Sequence, residues 1–213
     1  MTRLIVARHG NTFGPDDIVR RVGSTDLPLV ESGLAQGRAL GVYLKQHNLI
    51  PDIIFTSQLK RAIETAEQAQ ATMGTTLPQE TLSIFNEIDY GVDENQPEEK
   101  VVARLGAETL KAWEATAAVP PDWHVNPSEI IQHWHDFSNQ IADKHSDKTI
   151  LVVTSNGIVR FAPYLTGDFV SFCVKYRIKL STGAFGLFEK ESVGDAWRCL
   201  QWNVRFAHPT FSD

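Results

Sequence analysis

The sequence predicts an α/β fold: a three-layer α/β/α sandwich around a mostly parallel sheet, with a helical insertion near residues 92–127. Three observations predict it. Unbroken apolar runs rich in β-formers occur at residues 4–7, 53–55 and 150–154, as expected of strands buried on both faces. Stretches with helical spacing lie between them, long enough for the right-handed crossovers that parallel strands need. Between 92 and 127 the chain turns acidic and polar at residues 93–100 and is broken at Pro120-Pro121, so it reads as an insertion over the sheet, a lid. The 213 residues are expected to form one domain carrying that insertion.

In chain order, Leu4-Ile5-Val6-Ala7 is the first strand and stops at Arg8-His9-Gly10. Residues 12–29 carry Gly14, Pro15, Gly23 and Pro28 and read as a loop. Ser32 is suited to cap a helix to about Gln46, with Leu34, Leu40 and Leu44 among its apolar positions. Ile53-Ile54-Phe55 is the second strand. Ser57 is suited to cap the helix after it, in which Ala62, Thr65, Ala66 and Ala69 make a small-residue face. Residues 82–88 read as extended or irregular. A helix fits 101–115, and Pro127 starts another that runs to about Lys144. Residues 150–154 are the clearest strand, followed at Ser155-Asn156-Gly157 by a short helix. Late strands fit 174–180, 184–189 and 197–202, with Ser181-Thr182-Gly183 as a hairpin turn between the first two. Trp113, Trp123 and Trp134 read as core.

Composition narrows the function classes. Hydrophobic residues make up 42% and charged residues 22%, an ordinary globular balance. A net charge of −6 without a long basic run argues against nucleic acid or an acidic membrane as partner. It leaves room for a local basic pocket and a small anionic substrate. No stretch is long enough to span a membrane, and the N-terminal apolar run is too short for a signal peptide. Two isolated cysteines, Cys173 and Cys199, suit a reducing compartment, so a cytoplasmic location is expected. His133 and His135, two apart on a helix, point to different faces and form no metal-ligand pair.

In open α/β sheets, ligands sit outside the carboxyl ends of the strands. That rule gathers Arg8-His9-Gly10, then Ser57 and Arg61, then Ser155-Asn156-Gly157 at one edge. Arginine forks match the oxygens of a tetrahedral dianion. Backbone N–H groups near Asn156 and Gly157 would add donors. A neutral imidazole beside them can attack phosphorus, and neighbouring guanidinium charge disfavours the protonated form of His9. Glu87 is the candidate proton donor for the leaving oxygen, because an anion beside a carboxyl favours its protonated form.

Taken together, these residues resemble a known family. Arg8-His9-Gly10-Asn11-Thr12 after Leu-Ile-Val-Ala is similar to the signature of the histidine phosphatase superfamily, also called phosphoglycerate-mutase-like. Gly23 to Leu29 and Gly33-Leu34-Ala35-Gln36 continue the likeness. Phe55 to Ala66 resembles its second block, Glu87-Ile88-Asp89-Tyr90-Gly91 its acid/base block, Val153 to Arg160 its fourth, and Asn203 to His208 its usual ending. The resemblance implies that His9 carries the phosphoryl group, that Arg8 and Arg61 clamp its oxygens, that Glu87 is the proton donor, and that no metal or other cofactor is needed.

The pattern breaks in the fourth block. Ser155 stands where the family has a second histidine, and Asn156 where glycine is usual. A serine hydroxyl donates a hydrogen bond but brings no charge, and loss of one such electrostatic donor typically costs about 100- to 1000-fold in rate. Asn156 and His208 are candidate replacement donors. Ser155 lacks the first glycine of a nucleophile elbow and does not read as a nucleophile. Asn11 stands where a longer Glu or Gln is usual, and Asp93 lies where Trp-Glu-Gly is common. With Asn11, Ser155 and Asn156 as phosphate or substrate contacts, three functions compete. They are a phosphomonoester hydrolase acting through phosphohistidine, a mutase of the phosphoglycerate type, and a phosphate-binding protein with little or no turnover.

Overall fold

The computed structural model describes residues 1–192 and 194–206. The chain opens with β1 (Thr2–Arg8), a two-residue β2 (Arg20–Arg21), α1 (Glu31–Gln46), β3 (Ile53–Thr56), α2 (Lys60–Met73) and β4 (Gln79–Thr81). The insertion holds β5 (Gln96–Pro97), α3 (Glu98–Leu105) and α4 (Ala107–Thr116). It is followed by α5 (Pro127–Lys144), β6 (Thr149–Thr154), α6 (Asn156–Val159), α7 (Phe169–Lys175), β7 (Phe185–Lys190) and β8 (Arg198–Val204).

Six strands form one sheet in the order β4-β3-β6-β1-β7-β8. β4, β3, β6 and β1 run parallel, and β7 and β8 add an antiparallel edge. The predicted mostly parallel sheet is therefore present. The middles of its central strands, Leu4 to Ala7, Ile53 to Phe55 and Ile150 to Val153, are apolar at every position because both faces are covered. Leu4 and Val6 of β1, with Ile150 and Val152 of β6, point into a layer built around Trp134, Phe137 and Ile141 of α5. Ile5, Ala7, Leu151 and Val153 point the other way, onto Leu40 and Leu44 of α1 and Ala62, Ala66 and Ala69 of α2. This alternation is the two-residue period of a strand. The small-residue face of α2 lets α1 approach closely: a Cβ on Gly41 would lie 2.3 Å from the Ala69 carbonyl oxygen.

Several local expectations give way. Residues 12–29 are not wholly loop, since Arg20 and Arg21 pair with Pro97 and Gln96 and tie this segment to the insertion. Ser32 does not cap α1. The helix starts after Val30, and the Ser32 hydroxyl accepts instead from Asn11 Nδ2 at 3.2 Å. Ser57 does not cap α2 either. The amide of Lys60 is satisfied from a distant loop by Asp26 Oδ1 at 2.8 Å. The helix expected over 101–115 is two helices, because Gly106 at φ +80° breaks the ladder between α3 and α4. The strand expected over 174–180 is absent. Asp168 caps α7 by accepting from the Ser171 amide at 3.0 Å, and the helix runs through Val174. Ile178 and Leu180 are buried in irregular chain, so Ser181-Thr182-Gly183 is a turn but not a hairpin. The predicted start and end of α5 at Pro127 and Lys144 hold, with Asn126 as its cap.

Trp113, Trp123 and Trp134 are core residues. Cys173 and Cys199 are both free. Among the described residues, no helix is long and apolar enough to cross a membrane.

Candidate active site

The carboxyl ends of β1, β3 and β6 open onto a cleft of about 460 Å³. Arg8 and His9 leave β1 and line it, as do Arg61 from the first turn of α2, Glu87, Asn11 and Asn156. The strand-end rule thus brings Arg8, His9, Arg61 and Asn156 together at the cleft, whereas Ser57 and Ser155 are fully buried and neither they nor Gly10 and Gly157 are part of the lining.

His9 is fixed by its neighbours. Its amide donates to the Thr154 carbonyl at 3.0 Å, and its carbonyl accepts from the Gly183 amide at 3.0 Å. Its ring Nδ1 lies 2.7 Å from the Gly10 carbonyl oxygen. A carbonyl only accepts, so Nδ1 carries the proton and the neutral ring presents the Nε2 lone pair. Burial holds this imidazole well below its ordinary range, and the Arg61 and Arg8 charges push in the same direction. The larger cause is desolvation, since the ring is buried.

Arg61 is 1% exposed, and three of its nitrogens have protein acceptors. Nε donates to Ser155 Oγ at 3.3 Å, one terminal nitrogen to the Thr25 carbonyl at 2.9 Å, and the other to the Gly23 carbonyl at 2.7 Å. The carbonyls come from a loop gripped in turn by the insertion. Glu94 accepts from the Gly23 amide at 3.1 Å, the Thr25 amide at 3.0 Å and the Thr25 hydroxyl at 2.6 Å. Arg8 donates from one terminal nitrogen to the Leu180 carbonyl at 2.9 Å, and its Nε is buried without a partner among the described residues. Burial pushes the Arg8 guanidinium down to about 10, partly offset by Glu87, so it stays charged at neutral pH.

Glu87 follows the short irregular segment after β4. Its two oxygens accept from the Ile88 amide at 2.9 Å and the Gly157 amide at 3.0 Å. The Gly157 amide was expected to face a ligand; here the carboxylate takes it. A Cβ on Gly157 would sit 2.3 Å from Glu87 Oε1, so a side chain there would displace the carboxylate. The Asn11 side chain is held between Ser32 and the Thr182 hydroxyl. Asn156 Oδ1 accepts from the Leu180 amide at 3.1 Å. His208 lies outside the described residues.

Sequence reasoning missed the outer wall of the cleft. Arg20, Arg21, Arg160 and Lys179 line it, with Tyr90, Glu98 and Glu114. Arg21 pairs with Glu98 and lies 5.5 Å from the Tyr90 ring centroid and 5.4 Å from that of Trp123. Arg160 is 1% exposed, lies 4.1 Å from the Trp113 ring centroid and donates to the Trp113 carbonyl at 2.8 Å. Lys179 reaches Glu114 at 3.3 Å. The doublet Arg20-Arg21 in a polar loop, and Arg160 at the end of the fourth block, were the available signals.

A family model for the histidine phosphatase superfamily (branch 1) matches residues 4–204. A 2,3-bisphosphoglycerate-dependent phosphoglycerate mutase of Bifidobacterium longum is 32% identical over 128 residues, covering 60% of this chain and 51% of the relative. The enzyme of the same name from Mycobacterium leprae is 30% identical over 169 residues, 76% of this chain and 64% of the relative. The chain thus spans between half and two thirds of the length of these relatives. A mycobacterial glucosyl-3-phosphoglycerate phosphatase superposes with a TM-score of 0.79 at 19% identity, covering 96% of this chain and 99% of that one. Phosphoserine phosphatase from Entamoeba histolytica, solved with 3-phosphoglyceric acid, gives 0.73 at 20% identity, with 96% and 98% covered. These structures share the fold. With a family match running from β1 to the end of β8, this chain belongs to branch 1 of the histidine phosphatase superfamily.

Proposed function

We propose that this protein is a phosphomonoester hydrolase that acts through a phosphohistidine on His9 and takes a small phosphorylated metabolite. The observation that carries this reading is His9 itself: a neutral, buried imidazole with Nδ1 tied to the Gly10 carbonyl, beside two guanidinium groups. In the first step Nε2 attacks phosphorus and the bond to the ester oxygen breaks. Glu87 gives its proton to that oxygen and the alcohol leaves. In the second step water attacks the phosphohistidine, Glu87 takes the proton, and phosphate departs with His9 restored. Arg8 and Arg61 hold the equatorial oxygens and spread the charge that builds on them. Asn11 and Asn156 border the substrate, and the insertion over 92–127 acts as a lid. The two free cysteines suit a cytoplasmic setting.

The test is a panel of phosphate monoesters assayed for phosphate release beside a His9→Ala variant, with a search for acid-labile phosphohistidine after mixing. Equal release by both proteins rules the reading out. The mutase relatives support a second reading, which predicts exchange of phosphate between phosphoglycerate isomers without net release. Vanadate binding with no phosphorylated His9 after mixing would instead identify a binding protein without turnover, the outcome that Ser155 motivates.

A further inference from the structure

Ser155 and Asn156 occupy the place where the family's second histidine and glycine are expected, yet neither offers its side-chain oxygen to the cleft. Ser155 Oγ is buried and takes the Arg61 Nε–H at 3.3 Å. Asn156 Oδ1 takes the Leu180 amide at 3.1 Å, and the Leu180 carbonyl takes an Arg8 N–H at 2.9 Å. The two residues therefore end on the two arginines, one directly and one through the backbone of a single residue, Leu180. We infer that this Ser-Asn pair is a positioning device: Ser155 aims the Arg61 guanidinium and Asn156 aims that of Arg8, and neither binds the phosphoryl group. This rests on the phosphate-site reading proposed above and assigns its missing histidine no direct replacement.

A guanidinium has five N–H donors in one plane. Arg61 spends three of them on Ser155, Gly23 and Thr25, which surround it on three sides. A plane held at three points cannot rotate, so the second N–H on each terminal nitrogen keeps its direction. Arg8 has fewer protein partners: its Nε has none among the described residues, and its one acceptor belongs to Leu180. Leu180 lies in irregular chain rather than in a strand, so the Asn156 side chain supplies the tie that a sheet ladder would otherwise provide. A charged hydrogen bond that loses its buried partner typically costs about ten-fold or more in the equilibrium it supports.

The experiment is a double-mutant cycle read by inorganic phosphate binding, measured calorimetrically, which needs no turnover. Ser155→Ala is expected to weaken phosphate about ten-fold in the parent protein, but less than two-fold once Arg61→Lys has removed the planar fork. Asn156→Ala is expected to behave likewise with Arg8→Lys. Ser155→Thr, which keeps the hydroxyl, should bind within about three-fold of the parent. In case the Arg61→Lys protein does not fold, a second readout uses the parent background alone. The Arg61 Nε–H resonance, protected from solvent exchange, should lose its protection in Ser155→Ala and keep it in Ser155→Thr. Losses that add in both backgrounds, or an Arg61 Nε–H indifferent to Ser155, would overturn this inference and leave the phosphate site standing. No phosphate binding by the parent protein would overturn both.

Discussion

The neutrality of His9 has a consequence for stability that can be worked from its surroundings. In the unfolded chain this imidazole titrates near its ordinary value of 6.5. In the fold, burial with Arg61 and Arg8 alongside holds it well below that. Between the two values the unfolded state binds a proton that the folded state refuses, so stability falls as pH drops below 6.5, until the folded value is reached. For a group that stays neutral in the fold, the loss from pH 6.5 to pH 5.5 is about 1 kcal/mol, and about 1.4 kcal/mol for each further unit. His9→Gln carries no titrating group and should not suffer this loss. Urea unfolding followed by tryptophan fluorescence at pH 6.5 and 5.5 makes the comparison. The parent should lose about 1 kcal/mol more than the variant, the other titrating groups being common to both. Equal losses would refute the argument that the site keeps His9 neutral.

Other outcomes follow from the same geometry. Glu87→Gln should lower kcat by about 100-fold or more on alkyl phosphates and by much less on p-nitrophenyl phosphate, whose leaving group needs no proton; equal losses on both would remove Glu87 as the acid. Arg160→Ala strips the Trp113 carbonyl and the Asn156 carbonyl of a buried donor and unstacks Trp113. It should cost about 3 kcal/mol in urea unfolding, and a change under 1 kcal/mol would contradict the assigned packing. Burial alone would raise the Asp93 carboxyl, but hydrogen bonds from Arg104 and Trp123 outweigh it and hold the group below its ordinary value. Asp93→Asn should therefore cost about 1–3 kcal/mol at pH 7, and the deficit relative to the parent should shrink as pH falls through the acid range.

The sheet and the site were legible to different depths. Runs such as Ile5 to Ala7 and Leu151 to Val153 are apolar at every position because both faces are covered, so local composition announces them. Pro127 fixes the first turn of α5 by its own dihedral and needs no tertiary information. The stretch from Val174 to Leu180 misled because apolar and basic residues alternate there as in a strand. Asp168, three residues ahead of Ser171, was the competing local signal, and the cap it makes won the segment for a helix as far as Lys175. Gly106 was visible as a glycine, but its positive φ was not.

By itself, the sequence determined the buried strands, the strand-end positions of Arg8, His9 and Arg61, and the superfamily, because each depends on residues near one another in the chain. The tertiary structure decided what those residues touch. Ser155 meets Arg61 across 94 positions, and Arg8 meets the Leu180 carbonyl across 172. Arg20 and Arg21, Arg160, and Lys179 reach one cleft wall from three places in the chain. Hydrogen bonds of 3 Å between distant segments leave no periodicity to read, since they are set by how the layers stack. Ser155 was plain in the sequence as the residue after β6; where its hydroxyl points was visible only once the chain had folded.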